Sequence, residues 1–169
     1  MEQLSSTKAQ VWGMDLIMAV FIFTASMTIF FFYVLNDSSE GGENLEKLYY
    51  EGAHITNLIL SEGYPTNWNS ENVVEIGILT NEKINETKLE RFYNLTQEEY
   101  SKTRIKFNTK YDYYFFLDRN MTINSQTIEG IGKPGIKKSN IDAENLIKIS
   151  RATIYKNKPV AAELYIWKE

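Results

Sequence analysis

The sequence predicts an α+β protein, with an N-terminal transmembrane helix and an amphipathic helix packed on a mostly antiparallel sheet. Three observations lead there. Residues 16–35 run without a formal charge, an apolar stripe with helical spacing follows at 45–59, and later segments carry the period of strands. The division that results is a span at 11–35, a linker at 36–42 and an extracytoplasmic α+β domain at 43–169.

The span comes first. Twenty residues at about 1.5 Å of helical rise cover about 30 Å, the thickness of a bilayer's hydrocarbon core. The polar run 36–42 closes on Gly41-Gly42 and reads as a short linker or helix break, or else span and second helix form one bent rod. Leu45, Leu48, Tyr49, Gly52, Ile55 and Ile59 then fall on one helical face, with Glu46, Lys47, Tyr50, His54 and Asn57 opposite, and Gly63-Tyr64-Pro65 ends the helix. Residues 72–80 alternate as a half-buried strand, with Val74, Ile76 and Ile78 on one face and Val73, Glu75 and Gly77 on the other. Residues 86–93 predict a short helix, and Thr96-Gln97-Glu98-Glu99 has the form of a capping box that opens another. The run 111–118 is aromatic on both faces and suits a central strand. Residues 146–156 and 160–167 flank Asn157-Lys158-Pro159 as a hairpin whose second strand turns Val160, Ala162, Leu164 and Ile166 inward.

Composition narrows the function. With 43% hydrophobic and 14% aromatic residues the chain can fill a core. A net charge of -4 without a basic tract argues against nucleic acid. The absence of cysteine excludes disulfides, thiolate zinc sites and cysteine nucleophiles, so packing alone must hold the outer domain.

Orientation follows from the flanks. Lys8 precedes the span, whereas Asp37, Glu40, Glu43 and Glu46 follow it before the first lysine, Lys47. Positive residues stay on the cytoplasmic side, which puts the short N-terminus inside and the domain outside, in a single-pass topology at the cell membrane. N-x-S/T sequons begin at Asn36, Asn85, Asn94 and Asn120, all on the outer side, and are candidates for glycosylation.

The apolar run is too long for an ordinary secretory signal, and no A-x-A-like site follows it. Ahead of it stands Lys8-Ala9-Gln10-Val11-Trp12-Gly13-Met14-Asp15, which resembles the class III signal of archaeal type IV pilin-like proteins. The resemblance implies a leader over residues 1–10 and a prepilin-type peptidase that recognises Lys8-Ala9 and cuts before Gln10, leaving the helix on the mature protein. It also implies pairing of Asp15 with the terminal amine of a neighbouring pilin-like subunit, although Asp15 lies five residues beyond Gln10 where the family spacing is four. The other reading of Asp15 is a solvated residue at the bilayer interface. The strings Gly63-Tyr64-Pro65-Thr66-Asn67-Trp68 and Ile76-Gly77-Ile78 also look like membrane-anchored archaeal proteins of uncharacterised role.

Catalytic chemistry is hard to place. The single histidine, His54, falls on the polar face of its helix, and nucleophile-elbow, Walker, zincin and dinucleotide motifs are missing. No enzyme and no cofactor are expected. Asp118, Asn120, Thr122, Gln126 and Glu129 match positions 1, 3, 5, 9 and 12 of a calcium loop, with the Asn124 carbonyl at position 7. Ile123 stands where that loop needs glycine and no helices flank it, so a plain polar loop is expected and no metal. Tyr64, Trp68, Tyr111, Tyr113 and Tyr114 could form a sugar-stacking platform, against the ordinary expectation of core packing. The functional expectation is therefore a minor pilin-like subunit of a surface filament or related assembly. The alternative is a stand-alone anchored module that binds glycans or envelope proteins.

Overall fold

In a computed structural model the backbone is described for residues 3–168, and the side chains for these except 3–12 and 36–43. The chain separates into two compact units, Met1–Asn44 and Leu45–Glu169.

The first unit is helical. Helix α1, Gln3–Ile59, is a single element, so residues 36–42 are helix where a linker or break was one of the sequence's options. Glycine in a helix interior costs only about 1 kcal/mol relative to alanine, which helix on both sides of Gly41-Gly42 can offset.

In the second unit the last turns of α1 belong to the core. Leu48, Ile55, Thr56 and Ile59 are buried, but Leu45 and Tyr49, expected on the same stripe, are exposed. Gly52 sets the approach to the sheet: a Cβ added there would lie 2.8 Å from Cγ2 of Ile166 and 3.1 Å from Cγ1 of Ile149. The helix end is capped by chain that folds back on it. Ile78 N–H donates to the Ile59 carbonyl (2.8 Å), and the Ser61 hydroxyl to that of Leu58 (2.7 Å).

That return explains why residues 72–80 are not the regular strand predicted. Their backbone groups pair with Tyr64, Ser61 and Ile59 instead of a neighbouring strand, leaving only β1, Leu79–Thr80. Ile76 and Ile78 are buried and Glu75 is exposed as the alternation predicts, but Val73 is buried and Val74 is 53% exposed, against it. Gly63 and Gly77 meet backbone to backbone, and the Trp68 indole N–H donates to the Gly77 carbonyl (2.8 Å). The two strings noted in the sequence are thus the two sides of one buried contact.

Strand β2, Lys83–Ile84, leads into helix α2, Glu86–Glu98, whose N-cap Asn85 accepts from Lys88 N–H. Thr96 does not cap a new helix. It lies buried inside α2 with its hydroxyl on the Phe92 carbonyl (2.7 Å), and helix α3, Tyr100–Lys106, follows a break at Glu99. Leu89, Phe92 and Leu95 put α2 into the main core, where Phe92 rings with Phe107, Tyr113 and Phe115 at centroid distances of 6.0–6.5 Å. The buried Lys88 ammonium donates to the carbonyls of Glu62 (2.8 Å) and Leu79 (2.7 Å), and burial pushes its pKa down.

The remaining strands are β3, Asp112–Leu117; β4, Met121–Ile123; β5, Gln126–Ile128; β6, Ile131–Gly132; β7, Leu146–Tyr155; and β8, Lys158–Trp167. Of the eight strands among the described residues, six form one sheet in the order β1-β2-β7-β8-β3-β6, antiparallel except at β2 and β7, while β4 and β5 pair apart as a hairpin. β3 is the inner, all-buried strand its aromatics predicted. Tyr113, Phe115 and Leu117 face the main core, whereas Tyr114 and Phe116 join Trp167 in a second cluster packed by Ile136, Ile141 and Ala143 from the following loop. The β7–β8 hairpin has the inner face predicted for β8, but it turns on Lys156-Asn157, both with positive φ, and Pro159 lies within the strand opposite Ile154.

Candidate functional site

The feature with the clearest physical meaning is the exposed part of α1. Gly13–Leu35 spans 23 residues with a mean hydropathy of 2.2, none of it buried, long and apolar enough to cross a membrane. Its threonines need no outside partner: Thr24 donates to the Val20 carbonyl and Thr28 to that of Thr24, each at 2.8 Å. Asp15, the only formal charge in this stretch, is exposed two residues from its start. Lys8, Ala9 and Gln10 and the sequon at Asn36 lie outside the described side chains.

The other predicted residues are distributed over the second unit. His54 is exposed on α1. Asn94 and Asn120 are exposed, but the Thr96 of the Asn94 sequon is buried. Asn85 is part-buried and uses its amide twice, accepting from Lys88 and donating to the Thr80 hydroxyl (3.3 Å).

Asp118, Asn120, Thr122 and Glu129 lie in and beside a regular hairpin. Their segment is the β4–β5 hairpin, turned by Asn124-Ser125 with both φ positive, and Thr122 stands opposite Thr127. Asp118 instead pairs with Arg119 at 3.5 Å. Among the described residues no three acidic, histidine or cysteine side chains cluster to hold a metal. The aromatics mostly pack in the core, the ordinary expectation for them: Trp68, Tyr111, Tyr113 and Tyr114 are buried, and of the five only Tyr64 is exposed.

Sequence reasoning missed a buried polar cluster at the start of β3. The Asp112 carboxylate accepts from the Tyr100 hydroxyl (3.0 Å) and the Lys133 ammonium (2.8 Å), with Arg104 at 3.5 Å. Tyr100 Oη also accepts from Tyr113 N–H (3.1 Å), while the Tyr113 hydroxyl shares a 2.5 Å contact with Thr103. Burial raises both tyrosine pKa values far above the ordinary range, so both hydroxyls stay protonated. Arg104 also donates to the Lys110 carbonyl. The cluster joins α3, β3 and the loop after β6 into one fixed unit, and its carboxylate is already engaged by donors. Aspartate at the head of an aromatic strand was the available signal; its partners, 8 to 21 residues away, come only with the fold.

Comparisons with protein-family models, with curated proteins and with solved structures gave no match.

Proposed function

We propose that this chain is a membrane-anchored extracytoplasmic structural protein without a catalytic role, acting as a minor type IV pilin-like subunit of a surface filament or related assembly. The observation that carries the reading is a single helix with two environments. α1 bears an exposed apolar stretch at Gly13–Leu35, and its last turns supply Leu48, Ile55 and Ile59 to the core of an α+β domain. The charge flanks give the orientation, with the N-terminus cytoplasmic and the domain outside. Asp15 adds the chemistry of assembly: in a bundle of apolar helices its carboxylate needs a partner, and a neighbouring mature N-terminal amine is one.

The reading requires processing. A prepilin-type peptidase cuts between Ala9 and Gln10, exposing that amine. Mass spectrometry of the protein from its native membranes is expected to find Gln10 at the N-terminus. A terminus at Met1 or Glu2 in cells that contain the peptidase would refute the reading and leave an anchored binding module in its place.

A further inference from the structure

Beside β6 the head carries a cleft of about 390 Å³, within the range of small-ligand sites. Its walls come from separate elements: Tyr93 and Gln97 from α2, Thr127 and Glu129 from β5 and its exit, Lys137 from the following loop, and Tyr114 from β3. Tyr114 is 5% exposed, yet its hydroxyl-bearing end reaches this cleft, since a Cβ added to Gly130 in the wall would lie 2.6 Å from its Cζ. Burial, and after it the charge of Glu129 in the same cleft, raise its pKa. A tyrosine hydroxyl open to the cleft can both donate to and accept from what the cleft receives.

The lining indicates what that is. Tyrosine and threonine hydroxyls and the Gln97 amide each offer both a donor and an acceptor, Glu129 accepts, and Lys137 donates. Tyr93 adds a part-exposed ring at the rim. Balanced donors and acceptors beside one aromatic ring suit a polyhydroxylated ring, whose hydroxyls also donate and accept. They do not suit a phosphate, which needs convergent cations, because Lys133 in the wall is already engaged with Asp112.

We infer that this cleft is a saccharide-binding site, with the Tyr114 hydroxyl as its central hydrogen-bonding group. The site lies wholly within the second unit and is independent of whether the chain polymerises.

The test is saturation-transfer NMR on the full chain in nanodiscs. The probes are glucose, galactose, mannose, N-acetylglucosamine and their β-linked disaccharides, up to concentrations on the order of 10 mM. Saturable binding of at least one saccharide is expected. Tyr114→Phe, which keeps the packed ring and removes only the hydroxyl, should weaken it about fivefold, the value of one net hydrogen bond. Gln97→Ala alters an exposed side chain that the fold does not need, and should weaken binding similarly even if Tyr114→Phe perturbs folding. Lack of saturable binding by every probe overturns the inference, and so does binding that Gln97→Ala and a folded Tyr114→Phe both leave unchanged.

Discussion

Lys133→Met and Asp112→Asn both break the ion pair at the start of β3, but the structure predicts unequal costs. The Asp112 side chain is 8% exposed, whereas Lys133 is 24% and Arg104 32% exposed. Removing the lysine leaves a buried carboxylate with the Tyr100 hydroxyl and only the longer 3.5 Å pair to Arg104, where a fully uncompensated buried charge would cost about 3–5 kcal/mol. Arg104 reduces this, so about 2–4 kcal/mol is expected. Asp112→Asn leaves two cations that can turn to water, and its amide carbonyl can still accept from Tyr100. The expected loss is about 1–2 kcal/mol, that of a charge-assisted hydrogen bond weakened to a neutral one. Urea unfolding of the nanodisc-embedded chain, followed by tryptophan fluorescence, reads the difference because Trp68 and Trp167 are both buried. A loss for Asp112→Asn equal to or larger than that for Lys133→Met would refute the argument from exposure.

The close approach of α1 to the sheet is tested by Gly52→Val. The new side chain must displace Ile166 and Ile149, and a loss of at least about 2 kcal/mol is expected, more than the helix gains by losing a glycine. Unchanged stability would mean that helix and strands are not this close. For pH, Tyr100 and Tyr113 have folded pKa values raised above the unfolded value of about 10. Their contribution is therefore complete below about pH 10 and lost as pH rises beyond it, so urea midpoints should be level from neutrality to about pH 9 and then fall. Tyr113→Phe should make that fall shallower, and an equally steep fall in the variant would contradict the assignment.

Elements with a strong local pattern were legible in the sequence. The aromatic-rich β3, the β7–β8 hairpin and the apolar span each declare themselves by period or run length alone. The failures lie where long-range partners overrode a local pattern. Residues 72–80 alternate as a strand does, but Gly63 and Gly77 draw them onto the end of α1. Thr96 has the sequence of a cap, but burial of Leu95 and Phe92 carries α2 through it. The segment 118–129, expected as a plain polar loop, holds a hairpin that turns on Asn124-Ser125. Of the candidate residues, Asp15 could be read directly from its place near the start of the span. The Asp112 cluster could not, because Tyr100, Arg104 and Lys133 meet it only through tertiary packing.

The assembly reading stands or falls on where the protein is found when Asp15 is changed. In the proposed assembly Asp15 would be buried among packed apolar helices and would need its partner, whereas membrane insertion would not depend on it, since an interfacial carboxylate is solvated by water and head groups. Sheared surface filaments and membranes from cells with the assembly ATPase should be compared by immunoblot. The account predicts wild-type protein in both fractions and Asp15→Ala in membranes alone. Wild-type protein confined to membranes, or Asp15→Ala sheared off with the filaments as efficiently as the wild type, would contradict it.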